Sequence, residues 1–185
     1  MTRAEVITRV LALLDDEDIV VAADGAIARE TFRAADRPRT FYMLGSMGQV
    51  ASIALGLAMT RLERVVALDG DGNVLMGFGG VALVGGVKPP NFYHLVLDNG
   101  SYATTGGQPA LSRQVDLAAV AAAAGYRWAR RCHAPQPDSS ALEQWLSAPG
   151  PAFLDVAISL DDPHPAPRIP MTPEEMACRF RTVLG

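Results

Sequence analysis

The chain has 185 residues, 49% apolar and 19% charged, and its 16 basic against 20 acidic residues leave a net charge of −4. A chain of this size buries enough surface for one core without disulfides or a structural metal, so a single domain over 1–185 is expected. It carries no basic run, and its longest apolar stretch near the middle, residues 50–59, is far below the roughly 20 residues that cross a bilayer, so neither nucleic acid nor membrane is an expected partner.

Residues 1–14 set Arg3, Glu5 and Arg9 among apolar positions at helical spacing and run into Asp15-Asp16-Glu17-Asp18. That is an amphipathic helix with an acidic end and not an export signal. Apolar, β-branched runs at 19–23, 41–44, 65–68, 92–97 and 152–158 read as strands buried on both faces. Between them lie helical stretches at 26–35, 49–61, 74–87, 116–124 and 139–146. A last helix over 173–184 has Thr172 as its N-cap and Glu174 and Glu175 in its first turn. Residues 161–173 contain five prolines and read as an extended connector to it. Strand alternating with helix predicts an α/β fold, a doubly wound, mostly parallel sheet with helices on both faces. Cys132 and Cys178 lack metal or redox spacing, and a reduced, cytoplasmic protein is expected.

Open α/β sheets bind ligands where their strands end, so the residues following each apolar run matter most. Three junctions stand out: Gly45-Ser46-Met47-Gly48, Asp69-Gly70-Asp71-Gly72-Asn73 and Asp98-Asn99-Gly100-Ser101-Tyr102. Taken singly, Asp71-Gly72 is also an ordinary turn dipeptide. From Asp71 to Asn99 there is room for one helix and one return strand, which brings both residues to the same sheet edge. A carboxylate and an amide oxygen are hard donors suited to Mg²⁺, the flanking glycines let a diphosphate approach the backbone, and a helix starting near Val74 would offer it free N–H groups. His94, inside a strand, reads as a satisfied core residue. Arg29 and Glu30, adjacent on a helix, read as separate surface or interface charges.

Gly70-Asp71-Gly72, a gap, then Asp98-Asn99 resembles the signature of thiamine diphosphate enzymes. The stretch 41–48 and the stretch from Leu97 through Thr105-Gly106-Gly107-Gln108-Pro109 resemble the sulfopyruvate and phosphonopyruvate decarboxylase group, over its diphosphate-binding half only. The resemblance implies thiamine diphosphate and Mg²⁺ as cofactors. Asp71, Asn99 and the Ser101 backbone carbonyl would hold the metal, and Gly72 and Asn73 the diphosphate. Gly45 would accept from the cofactor's 4′-amino group, and Met47 would wedge its rings into a V. Ser46, Gly70 and Tyr102 fall in the same cofactor-binding set, while Thr105 and Gln108 would close over substrate. Asp98-Asn99 replaces the commoner Asn-Asn, and Ala22-Ala23-Asp24-Gly25 lacks the hydroxyl residues usual in that group. No glutamate here lies in a motif matching the one that activates the cofactor's pyrimidine. The resemblance therefore implies a β subunit that decarboxylates a small anionic 2-oxo acid together with a pyrimidine-binding α subunit. An acetolactate synthase-like carboligase subunit and a non-catalytic cofactor-binding subunit are the alternatives.

Overall fold

The structure, a computed structural model, describes residues 1–132, 139–160 and 166–185. Six parallel strands make one sheet: β1 (Ile19–Ala22), β2 (Thr40–Tyr42), β3 (Val65–Gly70), β4 (Phe92–Asp98), β7 (Trp128–Cys132) and β8 (Ala152–Ala157), in the order β2-β1-β3-β4-β8-β7. A small antiparallel hairpin, β5 (Ser101–Tyr102) with β6 (Gln108–Pro109), stands apart from it. The helices are α1 (Arg3–Ala12), α2 (Ala26–Ala34), α3 (Val50–Thr60), α4 (Asp71–Met76), α5 (Phe78–Val87), α6 (Leu117–Ala124), α7 (Ser139–Ser147) and α8 (Pro173–Leu184). This is the expected doubly wound α/β arrangement. β1, β3, β4 and β8 are almost wholly buried, as their continuous apolar character requires when both sheet faces are covered.

Local chemistry sets the helix ends. α1 and α8 each begin with a full capping box, Thr2 with Glu5 and Thr172 with Glu175, and Pro173 opens α8. Asp116 caps α6 by accepting from Ala119 N–H, and Gly125 ends it at φ 115°, a left-handed conformation that suits glycine.

Three expectations needed correction. The helix expected over 74–87 starts earlier and is broken at Gly77 into α4 and α5, because a Cβ at Gly77 would lie 1.7 Å from the Gly48 carbonyl oxygen: the backbone there is pressed against the 45–48 loop. β7 was not expected, since a strand reading Trp-Ala-Arg-Arg-Cys at the sheet edge, half-buried, lacks the apolar run of the central strands. Glu30 is not a surface charge but is 2% exposed, held by Arg3 through Nε to Oε2 at 2.9 Å and Nη2 to Oε1 at 2.6 Å, which ties α1 to α2. Of the 161–173 connector, residues 161–165 lie outside the described residues, as do His133 and His164; residues 166–172 carry no helix or strand. Cys132 and Cys178 are free, and no described helix is long and apolar enough to cross a membrane.

Candidate cofactor site

The chain runs outward from β1 to β2 and then returns to build β3 and β4 on the other side of β1, so the strand order reverses between β1 and β3. A cleft opens there, lined by the strand ends: Ala23 and Asp24 after β1, Gly70 and Asp71 at β3, Leu97 and Asn99 at β4. Gly72, Asn73, Ser101 and Tyr102 complete its floor and rim, and Met47 reaches it from the 45–48 loop. Gly72 sits under the Tyr102 ring, whose nearest atoms would lie 2.4 Å from a Cβ, so only glycine leaves the backbone open at this point.

Two aspartates of one five-residue motif face different company. Asp69, 2% exposed, accepts from Gly70 N–H at 2.8 Å, from the Asn73 side-chain amide, and pairs with His94 Nε2 at 3.1 Å; His94 Nδ1 meets the Tyr126 hydroxyl at 3.2 Å. The Asn73 amide oxygen in turn accepts the Gly48 N–H. This chain of bonds, from Tyr126 to Gly48, holds the Met47 loop onto the sheet, and His94 is the satisfied core residue expected. It also spends the Asn73 side chain. Ser46 at φ 58° and Gly48 at φ 90° show how tightly the loop turns.

Asp71, 3% exposed, has a different set of neighbours. Ser112 Oγ lies 2.7 Å from Asp71 Oδ2 and 2.9 Å from Asp98 Oδ1; a hydroxyl has one proton and can donate to only one of the two at a time. Burial and the neighbouring Asp98 carboxylate push Asp71 up to about 6 against the donating Ser112. Asp98 is itself steadied by Gly100 N–H and by Arg131 Nη2, both at 2.9 Å. Behind it Asp155, fully buried, has Arg131 Nε 3.4 Å away and no hydrogen bond on either oxygen, and burial with the nearby Asp98 drives it up to about 7. The cluster holds more negative charge than its donors compensate, and its open edge is the cleft. Asn99 faces the same cleft; its Oδ1 accepts Ser101 N–H at 2.9 Å and keeps a second lone pair.

The other predicted site residues divide. Gly45 and Ser46 line a neighbouring hollow with Phe41 and Ile53 and not the cleft. Thr105 and Gln108 are exposed, bonded to each other at 3.1 Å across the hairpin turn, while Thr104 takes the cleft position expected for them. Sequence reasoning missed Ser112, Arg131 and Asp155, which carry no motif signal, and gave no site role to Asp24, which directly follows a strand.

The model of the thiamine pyrophosphate enzyme C-terminal TPP binding domain matches residues 24–156, a span that begins just after β1 and contains both aspartates and Asn99. The chain belongs to this family. Thiamine pyrophosphate, another name for the diphosphate, is therefore its cofactor. A phosphonopyruvate decarboxylase of Streptomyces viridochromogenes is 44% identical over 180 residues, 97% of this chain and 45% of its own. The sulfopyruvate decarboxylase subunit beta of Methanothermobacter thermautotrophicus is 40% identical over 97% of this chain and 94% of its own. The chain thus spans less than half the length of the phosphonopyruvate decarboxylases it matches. Among solved structures, the thiamine diphosphate-dependent 4-hydroxybenzoylformate decarboxylase of Rhodococcus jostii RHA1 superposes with a TM-score of 0.74 at 20% identity, over 87% of this chain and 33% of that one, a likeness of fold.

Proposed function

We propose that this chain is the diphosphate-binding β subunit of a cytoplasmic, thiamine pyrophosphate- and Mg²⁺-dependent decarboxylase of a small anionic 2-oxo acid, sulfopyruvate or phosphonopyruvate, completed by a pyrimidine-binding α subunit. The observation that carries this reading is the match across 94% of the length of a protein named as a β subunit of sulfopyruvate decarboxylase.

The residues present suit the cofactor. Asp71 supplies a buried carboxylate with no cation beside it, and Asn99 a neutral amide oxygen, the hard donors that Mg²⁺ prefers; the Ser101 carbonyl joins them. Gly70 and Gly72 leave the backbone open to the diphosphate, and Asn73, its side chain committed to Asp69 and Gly48, contributes through its N–H. Met47, which lines the cleft and is held in place by Gly48, would wedge between the cofactor's rings, and Gly45, in the adjoining hollow, would meet the aminopyrimidine. Tyr102 and Thr104 form part of the cleft's wall. When bound, thiamine pyrophosphate supplies an electron sink for the electron pair left behind when CO₂ departs. No glutamate is among the cleft-lining residues, so the group that activates the pyrimidine comes from the partner.

The test is CO₂ release with thiamine pyrophosphate and Mg²⁺, from the purified chain and from its complex with a pyrimidine-domain α chain. The complex is expected to act on sulfopyruvate or phosphonopyruvate with kcat/KM at least roughly tenfold above pyruvate, about 1.4 kcal/mol of differential transition-state binding, and the chain alone to be inactive. Turnover by the chain alone refutes the partner requirement. Condensation of two 2-oxo acids without net aldehyde release points to a carboligase, and no reaction at all to a non-catalytic subunit.

A further inference from the structure

A second cavity, of about 440 Å³, adjoins the cofactor cleft, and the two meet at Asp24, which lines both. Its walls come from three places: Gly25, Ala28 and Arg29 in the first turns of α2, Met43 and Leu44 after β2, and Arg168, Ile169 and Met171 in the segment before α8. Two arginines, Arg29 half-buried and Arg168 exposed, therefore line one space with apolar residues.

Neither of these arginines is spent on a carboxylate among the described residues. Arg3, Arg39, Arg64, Arg131 and Arg179 each hold at least one carboxylate. Arg29 and Arg168 make no hydrogen bond or ion pair among the described residues, although Asp24 lines the same cavity. Asp24 is held above the usual carboxylate range by burial and by Asp69, with no arginine acting on it. Guanidinium groups present paired donors that match tetrahedral oxyanions, and each charge-assisted bond to such a group is among the stronger polar contacts a protein makes.

We infer that Arg29 and Arg168 form a subsite for the distal tetrahedral oxyanion, sulfonate or phosphonate, of a 2-oxo acid whose reacting carbon lies in the cofactor cleft. The inference rests on the decarboxylase reading above and adds to it the residues that select the substrate class. Plain pyruvate, with a methyl group in place of the oxyanion, leaves the subsite unused.

Steady-state kinetics of the α–β complex test it, with sulfopyruvate, phosphonopyruvate and pyruvate as separate substrates. Arg29→Ala and Arg168→Ala are each expected to raise KM for the anionic acids roughly tenfold, equivalent to about 1.4 kcal/mol, with kcat and the KM for pyruvate within about twofold of the parent. Arg29→Lys and Arg168→Lys keep the charge but lose the fork and recover part of the loss. The acid whose KM responds more strongly identifies the oxyanion. If the complex turns over the anionic acids and neither variant changes their KM, or pyruvate suffers equally, the subsite is refuted and the decarboxylase reading stands. If none of the three acids is decarboxylated by the complex, the decarboxylase reading fails and the subsite with it.

Discussion

Asp69 and Asp71 sit two residues apart, equally buried, and do opposite work. Asp69 is closed on itself, with a backbone N–H, an asparagine amide and a histidine converging on its two oxygens. Asp71 shares one serine hydroxyl with a second carboxylate and has a third behind it. A buried anion with enough donors stiffens a fold; one without them is a place where a cation gains more than water would offer. The comparison separates the scaffold of this site from its ligand set, and each half is open to a different substitution.

The largest effect is expected on the closed side. Asp69→Ala removes the acceptor from three buried donors and should lower the unfolding free energy by about 3–5 kcal/mol, read by urea denaturation without cofactor. Gly77→Ala attacks the same scaffold where the backbone of residue 48 leaves no room, and overpacking of about 1–3 kcal/mol or more should appear in the same measurement. On the open side, Asp71→Asn should leave denaturation unchanged or shift it upward, since a like charge beside Asp98 is gone, while calorimetry shows Mg²⁺-dependent binding of thiamine pyrophosphate weakened at least roughly 100-fold. Asn99→Ala should weaken it too; unchanged affinity in both variants would sink the metal assignment.

The difference should also be visible in pH. Asp71 at about 6 and Asp155 at about 7 both lie above their ordinary value of 3.8, so between those limits the folded metal-free protein binds more protons than the unfolded chain. Its stability should therefore fall as pH rises from about 4 to about 7, and Asp155→Asn should flatten that slope by on the order of 1–2 kcal/mol. Denaturation midpoints at pH 5 and pH 8 check this, and an unchanged slope would remove Asp155 from the account. The smallest effect belongs to Tyr126→Phe, which deprives His94 of one hydrogen bond at a cost of about 1 kcal/mol and leaves Mg²⁺ binding intact.

Much of this molecule is written locally. Continuous apolar runs marked five of the six sheet strands, the Thr172 cap marked a helix start, and the spacing of Asp71 and Asn99 marked the ligand edge, because each depends on residues near in sequence or on a single crossover. The rest depended on distant partners. Ser112 reaches Asp71 across 41 residues and Arg3 reaches Glu30 across 27, contacts that no periodicity encodes. The helix breaks at Gly77 because the Gly48 backbone lies against it, and Arg131 joins the carboxylate cluster because β7 pairs with β8. The sequence by itself determined which side chains could serve a diphosphate and its metal. Only the tertiary structure decided which aspartate was left short of donors, because that balance is struck between residues brought together by the sheet.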